Sequence, residues 1–157
     1  EVFCLAGNHD IYNNGWEYWK QSCYPSASFY KFSIGDTFVW YSLDSASSSL
    51  GKDQDQALKA SMENESKIPI VMTHYPLIAD ETILFAMRDT TERNLLISMF
   101  NRKNIAAYFC GHYHLMQTKK ISNFTQYSLQ SFGEYQRWFV LQVNETNKTI
   151  QLEKFGT

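Results

Sequence analysis

Residues 105–114, Ile105-Ala106-Ala107-Tyr108-Phe109-Cys110-Gly111-His112-Tyr113-His114, change character at one position. The first six are apolar without alternation, the pattern of a strand buried on both faces. The next four are a glycine and a tyrosine flanked by two imidazoles. The same change occurs where Ile68-Pro69-Ile70-Val71-Met72 gives way to Thr73-His74-Tyr75-Pro76, and where Val2 to Ala6 gives way to Gly7-Asn8-His9-Asp10. Three buried strands, each ending in polar side chains able to handle metals or protons, indicate an α/β sheet whose loops gather at one edge, where such folds hold ligands.

Working outward, the segments between these strands have the periods of helices and hairpins. Asp53 to Glu65 carries Ala57, Leu58, Ser61 and Met62 at helical spacing. Asp89 and Glu92 form a capping box ahead of Leu95, Leu96, Met99 and Phe100, so a helix is expected from about Thr90 to Arg102. Residues 76–88 read as loop with some helix. Ser28 to Ser33 and Thr37 to Leu43 flank Ile34-Gly35-Asp36 as a hairpin. Four further β-prone runs, Leu115 to Ile121, Thr125 to Gln130, Arg137 to Val143 and Thr149 to Phe155, follow the last apolar strand, with a turn at Asn144 to Lys148. The expected class is a mixed, layered α/β domain without repeats or linkers. The opening strand at residue 2 has nothing before it to pair or cover it, so the chain is expected to be the C-terminal portion of a larger domain.

Composition narrows the function classes. With 157 residues, 44% hydrophobic and 16% aromatic, the chain has the material for one packed core, which excludes intrinsic disorder. No apolar run approaches the roughly 18 residues of a membrane-spanning helix, so no membrane span is expected. Fourteen Lys and Arg against 16 Asp and Glu give a net charge of -2 with no basic stripe, so no nucleic-acid-backbone binding is expected. Cys4, Cys23 and Cys110 form no CxxC pair and read as thiols acting as small hydrophobes, in preference to a disulfide or a catalytic cysteine. Four glycosylation-type sequons, at Asn64, Asn123, Asn144 and Asn147, hint at export.

The chain has four histidines, His9, His74, His112 and His114, and each follows closely on an apolar strand. Neutral imidazole is the commonest metal ligand near pH 7. Loops converging at one sheet edge could place four imidazoles and the Asn8 amide oxygen around one or two ions. Gly7 and Gly111 would let the backbone turn sharply beside an ion or phosphate. Trp16, Tyr18 and Trp19, which follow the first loop, read as packing beneath it or as a stacking surface for a base or aromatic alcohol, and Tyr75 and Tyr113 as lining the entrance.

Gly-Asn-His-Asp, then His-Tyr-Pro, then Gly-His-x-His about forty residues later resembles the C-terminal half of the calcineurin-like metallophosphoesterase family, which includes the purple acid phosphatases. The resemblance implies a double β-sandwich with flanking helices and hydrolysis of phosphate esters, as a phosphatase or phosphodiesterase, at a dinuclear centre of Mn, Fe or Zn. It implies that Asn8, His74 and His112 bind one ion and His114 the other. His9 would donate a proton to a phosphate oxygen or leaving group, and Asp10 would orient the His9 ring. Asp10 reads equally well as a turn-former. Two ions holding a bridging hydroxide and clamping an in-line displacement is chemistry of the kind such a donor set serves.

The family also uses an upstream Asp-x-His (or Asp-x-Gly) and a Gly-Asp-x-x-Asp (or Gly-Asp-x-x-Tyr), and neither stands in this chain; Gly35-Asp36 is followed by Val39 where the second carboxylate would be. Residues 1–157 are therefore expected to need a missing N-terminal half for catalysis. Two alternatives remain open from the residues: a binding or scaffold module on the same fold, and a mononuclear zinc protein. By donor count the chain alone is expected to bind at most one ion, weakly, through Asn8, His74 and His112, because an amide oxygen is a poor ligand and no carboxylate offsets the charge. Isothermal titration with Zn or Mn checks this, and two tightly bound ions per chain would refute it.

Overall fold

A computed structural model describes residues 2–80 and 83–156. Its elements are α1 (Gly15–Ser22), β1 (Tyr30–Ile34), β2 (Phe38–Ser42), α2 (Lys52–Glu63), β3 (Ile68–Met72), α3 (Thr90–Arg102), β4 (Ala107–Cys110), β5 (Gln117–Ile121), β6 (Phe124–Ser128), α4 (Phe132–Tyr135), β7 (Arg137–Asn144) and β8 (Thr149–Gly156). Six strands form one mixed sheet in the order β1-β2-β3-β4-β6-β5, and β7 and β8 form a separate antiparallel pair. The four inner strands, β2, β3, β4 and β6, run parallel, while β1 and β5 close the two edges antiparallel.

Parallel strands covered on both faces need apolar side chains in both directions, and the sequence supplies them. In β2, β3 and β4, Val39, Tyr41, Val71 and Tyr108 pack with Leu58 and Met62 of α2 and Leu96, Met99 and Phe100 of α3. Alternate residues of the same strands, Phe38, Ile70, Ala107 and Phe109, pack against Leu141, Val143, Ile150 and Leu152 of the β7–β8 hairpin. The layers are thus helices, a six-stranded sheet and a two-stranded hairpin, which is the mixed α/β class expected. Glu145, in the hairpin turn, fastens that layer, its Oε2 accepting from Thr37 N–H at 2.8 Å and Asp36 N–H at 3.1 Å. The Thr37 side chain first, and then these backbone bonds, lower the Glu145 pKa from its ordinary value.

α3 begins where its capping signal stands: Asp89 Oδ1 accepts from Thr91 and Glu92 N–H at 2.8 and 3.0 Å. The return arm of the capping box is used elsewhere, since Glu92 Oε1 accepts from Leu50 N–H at 2.9 Å and ties the 45–51 loop to the helix.

Two expectations are corrected, and α1 stands where no element was expected. Val2 to Ala6 is not a strand. Its only ladder-like bond among those described is Cys4 N–H to Tyr24 O at 2.9 Å, and it is held by side chains, with Tyr30 Oη–H donating to Cys4 O at 2.6 Å and Phe3 stacked on Phe32 at 4.1 Å. Val2 is 77% exposed. The aromatic stretch after Asp10 contains α1, unexpected despite its sequence signals, Asn14 three residues before Glu17 and Lys20 in the last turn; its start makes no side-chain cap bond and its one buried residue is Trp19. The strand expected from Leu115 begins at Gln117, Leu115 being exposed. Of residues 76–88, 81 and 82 lie outside the described residues, and Ile83–Phe85 forms one turn of 3-10 helix.

Burial assigns adjacent leucines of α3 opposite roles. Leu96→Ala should cost about 2–5 kcal/mol in urea unfolding, as deletion of a fully packed leucine does. Leu95→Ala, at a residue 53% exposed, should stay within about 0.5 kcal/mol. Equal losses would contradict the helix orientation.

Candidate functional site

The C-terminal ends of β3, β4 and β6 open onto a cavity of about 390 Å³ lined by His74, His112, His114, Gln130, Ser131 and Leu5 among others. His74 follows β3 directly. One hydroxyl fixes this strand end: Ser45 Oγ accepts from Thr73 Oγ1–H at 2.6 Å, Tyr75 N–H at 2.9 Å and His74 N–H at 3.2 Å. Ser45 is fully buried, and an unpartnered hydroxyl there would be costly. Across the next strand, His74 O accepts from Gly111 N–H at 3.0 Å, and Tyr108 Oη–H donates to Tyr75 O at 2.8 Å. The loop beyond Tyr75 is bound by buried Gln126, whose Oε1 accepts from Leu77 N–H at 2.8 Å and whose Nε2–H donates to Ile78 O at 2.7 Å.

On this frame His74 Nε2 lies 2.7 Å from Asn8 Oδ1 and 3.2 Å from His112 Nδ1. A single proton on Nε2 serves both neighbours in the free protein. With the proton on Nδ1 instead, His74 Nε2 carries a lone pair beside the Asn8 oxygen and His112 Nδ1. Burial and the neighbouring His112 drive the His74 pKa down to about 4 against a raising influence from Asp10, so the ring is neutral near pH 7. His112 is lowered too, by burial first and then by His114 and His9. Its ring lies on Tyr75 at 3.8 Å between centroids.

The other three candidate residues stand apart from that trio. His114 Nδ1 is 2.6 Å from Glu134 Oε1, both side chains half exposed. His9 is exposed beside Tyr12, with 5.4 Å between ring centroids. Asp10 Oδ2 accepts from Gly7 N–H at 2.7 Å while Asp10 N–H donates to Gly7 O at 3.1 Å, so the carboxylate closes the loop as a turn-former. Tyr12 Oη accepts from Asn8 Nδ2–H at 3.4 Å.

Of the expected metal-holding residues, the structure brings Asn8, His74 and His112 together. For a second ion the chain supplies His114 alone, already paired with Glu134, which is not a fit. Among the described residues no three His, Cys, Asp or Glu side chains form a group able to hold a metal; the trio reaches three donors only by counting the Asn8 amide. Ser45, Gln126 and Glu134 are the residues the sequence did not disclose. Nothing in a polar loop, a β-prone run or a short helix marks them beforehand.

A profile of the calcineurin-like phosphoesterase family matches residues 1–116. Curated proteins give no match. Among solved structures the chain is similar to GAP50, the anchor in the inner membrane complex of Plasmodium, with a TM-score of 0.56 and 12% identity over 82% of this chain and 47% of that one. A putative 5'-nucleotidase from Staphylococcus aureus, solved in complex with alpha-ketoglutarate, gives a TM-score of 0.46 and 16% identity over 80% of this chain and 28% of that one. At these identities the likeness is one of fold, and the chain spans about half the length of the first of these proteins.

Two glycines set the spacing of the first loop. A Cβ on Gly7 would sit 3.0 Å from both Cε1 and Nδ1 of His74, and one on Gly15 only 1.7 Å from the Asp10 carbonyl oxygen, whereas one on Gly111 meets nothing nearer than 3.7 Å. Gly7→Ala and Gly15→Ala should therefore each lower stability in urea by about 1–3 kcal/mol through overpacking, with Gly111→Ala within about 0.5 kcal/mol. A loss at Gly111 equal to that at Gly7 would refute the placement of the His74 ring.

Proposed function

The chain belongs to the calcineurin-like phosphoesterase family, and on that premise we propose that it supplies the acid-donating and half of the metal-holding side of a phosphate-ester hydrolase site. The observation that carries this reading is the convergence of Asn8 Oδ1, His74 Nε2 and His112 Nδ1 within 2.7 and 3.2 Å contacts at the ends of neighbouring loops. These residues would hold one divalent or trivalent ion, Mn, Fe or Zn. Such an ion supplies Lewis-acid neutralisation of phosphoryl oxygens.

Around that point each residue has a separate task. His9, exposed at the tip of the loop, delivers a proton from a ring N–H to the departing alkoxide. Asp10 keeps the loop closed through Gly7 N–H, which fixes where His9 is presented. Ser45 and Tyr108 anchor the backbone on either side of His74. Glu134 holds His114 through Nδ1 at the rim of the same cavity. Phosphate monoesters and diesters are both accommodated by this chemistry.

A second reading, a non-catalytic binding module on the same fold, is favoured by the thin donor set: two imidazoles and an amide without a carboxylate among them. The full-length gene product loaded with Mn, Fe or Zn and assayed on p-nitrophenyl phosphate and bis-p-nitrophenyl phosphate separates the two. Hydrolysis is expected, with His9→Asn lowering kcat by about a hundredfold or more at unchanged metal content, and His112→Ala lowering the metal content itself. Stoichiometric metal without hydrolysis of either ester would overturn the enzymatic reading.

A further inference from the structure

Cys4 and Cys23 lie far apart in the sequence relative to the loop they bracket, yet they meet in the structure. Cys4 N–H donates to Tyr24 O at 2.9 Å. This holds the two stretches at the roughly 5 Å spacing of hydrogen-bonded extended chains, within the backbone separation a disulfide bridges. Both side chains are half-buried and pack on the same small cluster of Ala6, Trp19 and Ala46. Burial, and after it the neighbouring Cys4 thiol, raise the Cys23 pKa. Both are reduced in this structure.

From this arrangement we propose that Cys4 and Cys23 form an intrachain disulfide under oxidising conditions, a covalent clasp on the loop that carries Asn8, His9 and Asp10. The bond would enclose residues 5–22, which hold that loop and the whole of α1. The oxidant is a disulfide-bonded small thiol. One cysteine thiolate attacks a sulfur of the oxidant, breaking its S–S bond and releasing one thiolate. The second cysteine thiolate then attacks the mixed disulfide, forming the Cys4–Cys23 bond and expelling the other. The two cysteines lose two electrons, the oxidant gains them, and the two thiol protons pass to the released thiolates. The clasp is independent of what the loop binds, so it stands or falls apart from the phosphoesterase reading.

Cys110 provides an internal control. It is buried at the end of β4, 3.2 Å from Ser128 Oγ, and burial pushes its thiol up to about 12, which leaves almost no reactive thiolate. The test incubates the folded chain with glutathione disulfide, traps free thiols by alkylation and maps tryptic peptides without reductant. Lys20 and Lys31 place Cys4 in peptide 1–20 and Cys23 in peptide 21–31. The expected product is these two peptides joined and lighter by two hydrogens, accounting for most of both cysteines, with full loss of the joined species on reduction and in Cys4→Ser or Cys23→Ser. Cys110 should be alkylated only after unfolding. Separate glutathione adducts on Cys4 and Cys23, unmodified thiols at both, or cross-links between two copies of the chain would each overturn the proposal.

Discussion

The contact on which the site depends is that of the His74 imidazole with the backbone of Gly7. The ring lies so close that a single added carbon would stand 3.0 Å from two of its atoms. That closeness lets Asn8, the next residue, bring its amide oxygen to 2.7 Å from Nε2. Interiors packed to crystal-like density do not adjust such a distance freely. The first loop and the end of β3 are therefore placed relative to each other by steric exclusion as much as by hydrogen bonding. Gly15 acts on the far side of the same loop, letting the start of α1 press against the Asp10 carbonyl.

What keeps His74 from moving away is a set of buried polar groups, each with its partners supplied. Ser45, Tyr108 and Gln126 bind backbone atoms between Thr73 and Ile78 and are shielded from water. A buried hydrogen bond contributes modestly when made, but leaving one partner unsatisfied costs about 1–3 kcal/mol. Such groups specify one conformation of the loop by penalising the others. The apolar layers on both sides of the sheet, α2 with α3 and the β7–β8 hairpin, supply the burial that makes this penalty apply.

The fold was legible where burial is periodic or continuous. Ile68–Met72 and 107–110 are apolar on both faces, and α3 has a cap and a stripe, so both kinds of element emerged from pattern alone. Val2 to Ala6 has the same apolar composition, but whether an apolar run pairs depends on partners far away in the chain, and its described contacts are with Tyr24, Tyr30 and Phe32. α1 escaped although Asn14 and Glu17 mark its start, because its Gly-, Asn- and aromatic-rich composition reads as loop; Trp19 anchors it, packing with Ala6 and Ala46 and donating to Ser26 O at 3.1 Å. At the sheet edge, His74 follows β3 and His112 and His114 follow β4, so their placement was readable from the apolar runs, whereas the loop carrying His9 follows no strand. Ser45 and Glu134 were not readable, because a serine in a polar loop and a glutamate on a one-turn helix look the same whether or not another element closes over them.

The Gly-His-Tyr-His turn shows how the two imidazoles it carries come to differ. His112 and His114 both adopt left-handed backbone, φ 58° and 61°, a conformation that costs non-glycine residues of order 1–3 kcal/mol when held in place. Neither residue favours it locally, so its cause lies in what surrounds the turn. Leu129 N–H binds Cys110 O at 2.8 Å just before it, and Ser131 N–H binds His114 O at 3.2 Å at its end, so β6 and the segment after it clamp both sides. Tyr75, tilted against His112 with 3.8 Å between ring centroids, packs on that ring where it lies beside His74. His114 lies two residues on, beyond Tyr113, whose side chain is buried, and its ring is the one exposed to solvent and to Glu134. One strained turn thereby produces a half-buried imidazole with a lowered pKa and an exposed one paired with a carboxylate. That division of environments is what two adjacent histidines need if they are to perform different tasks.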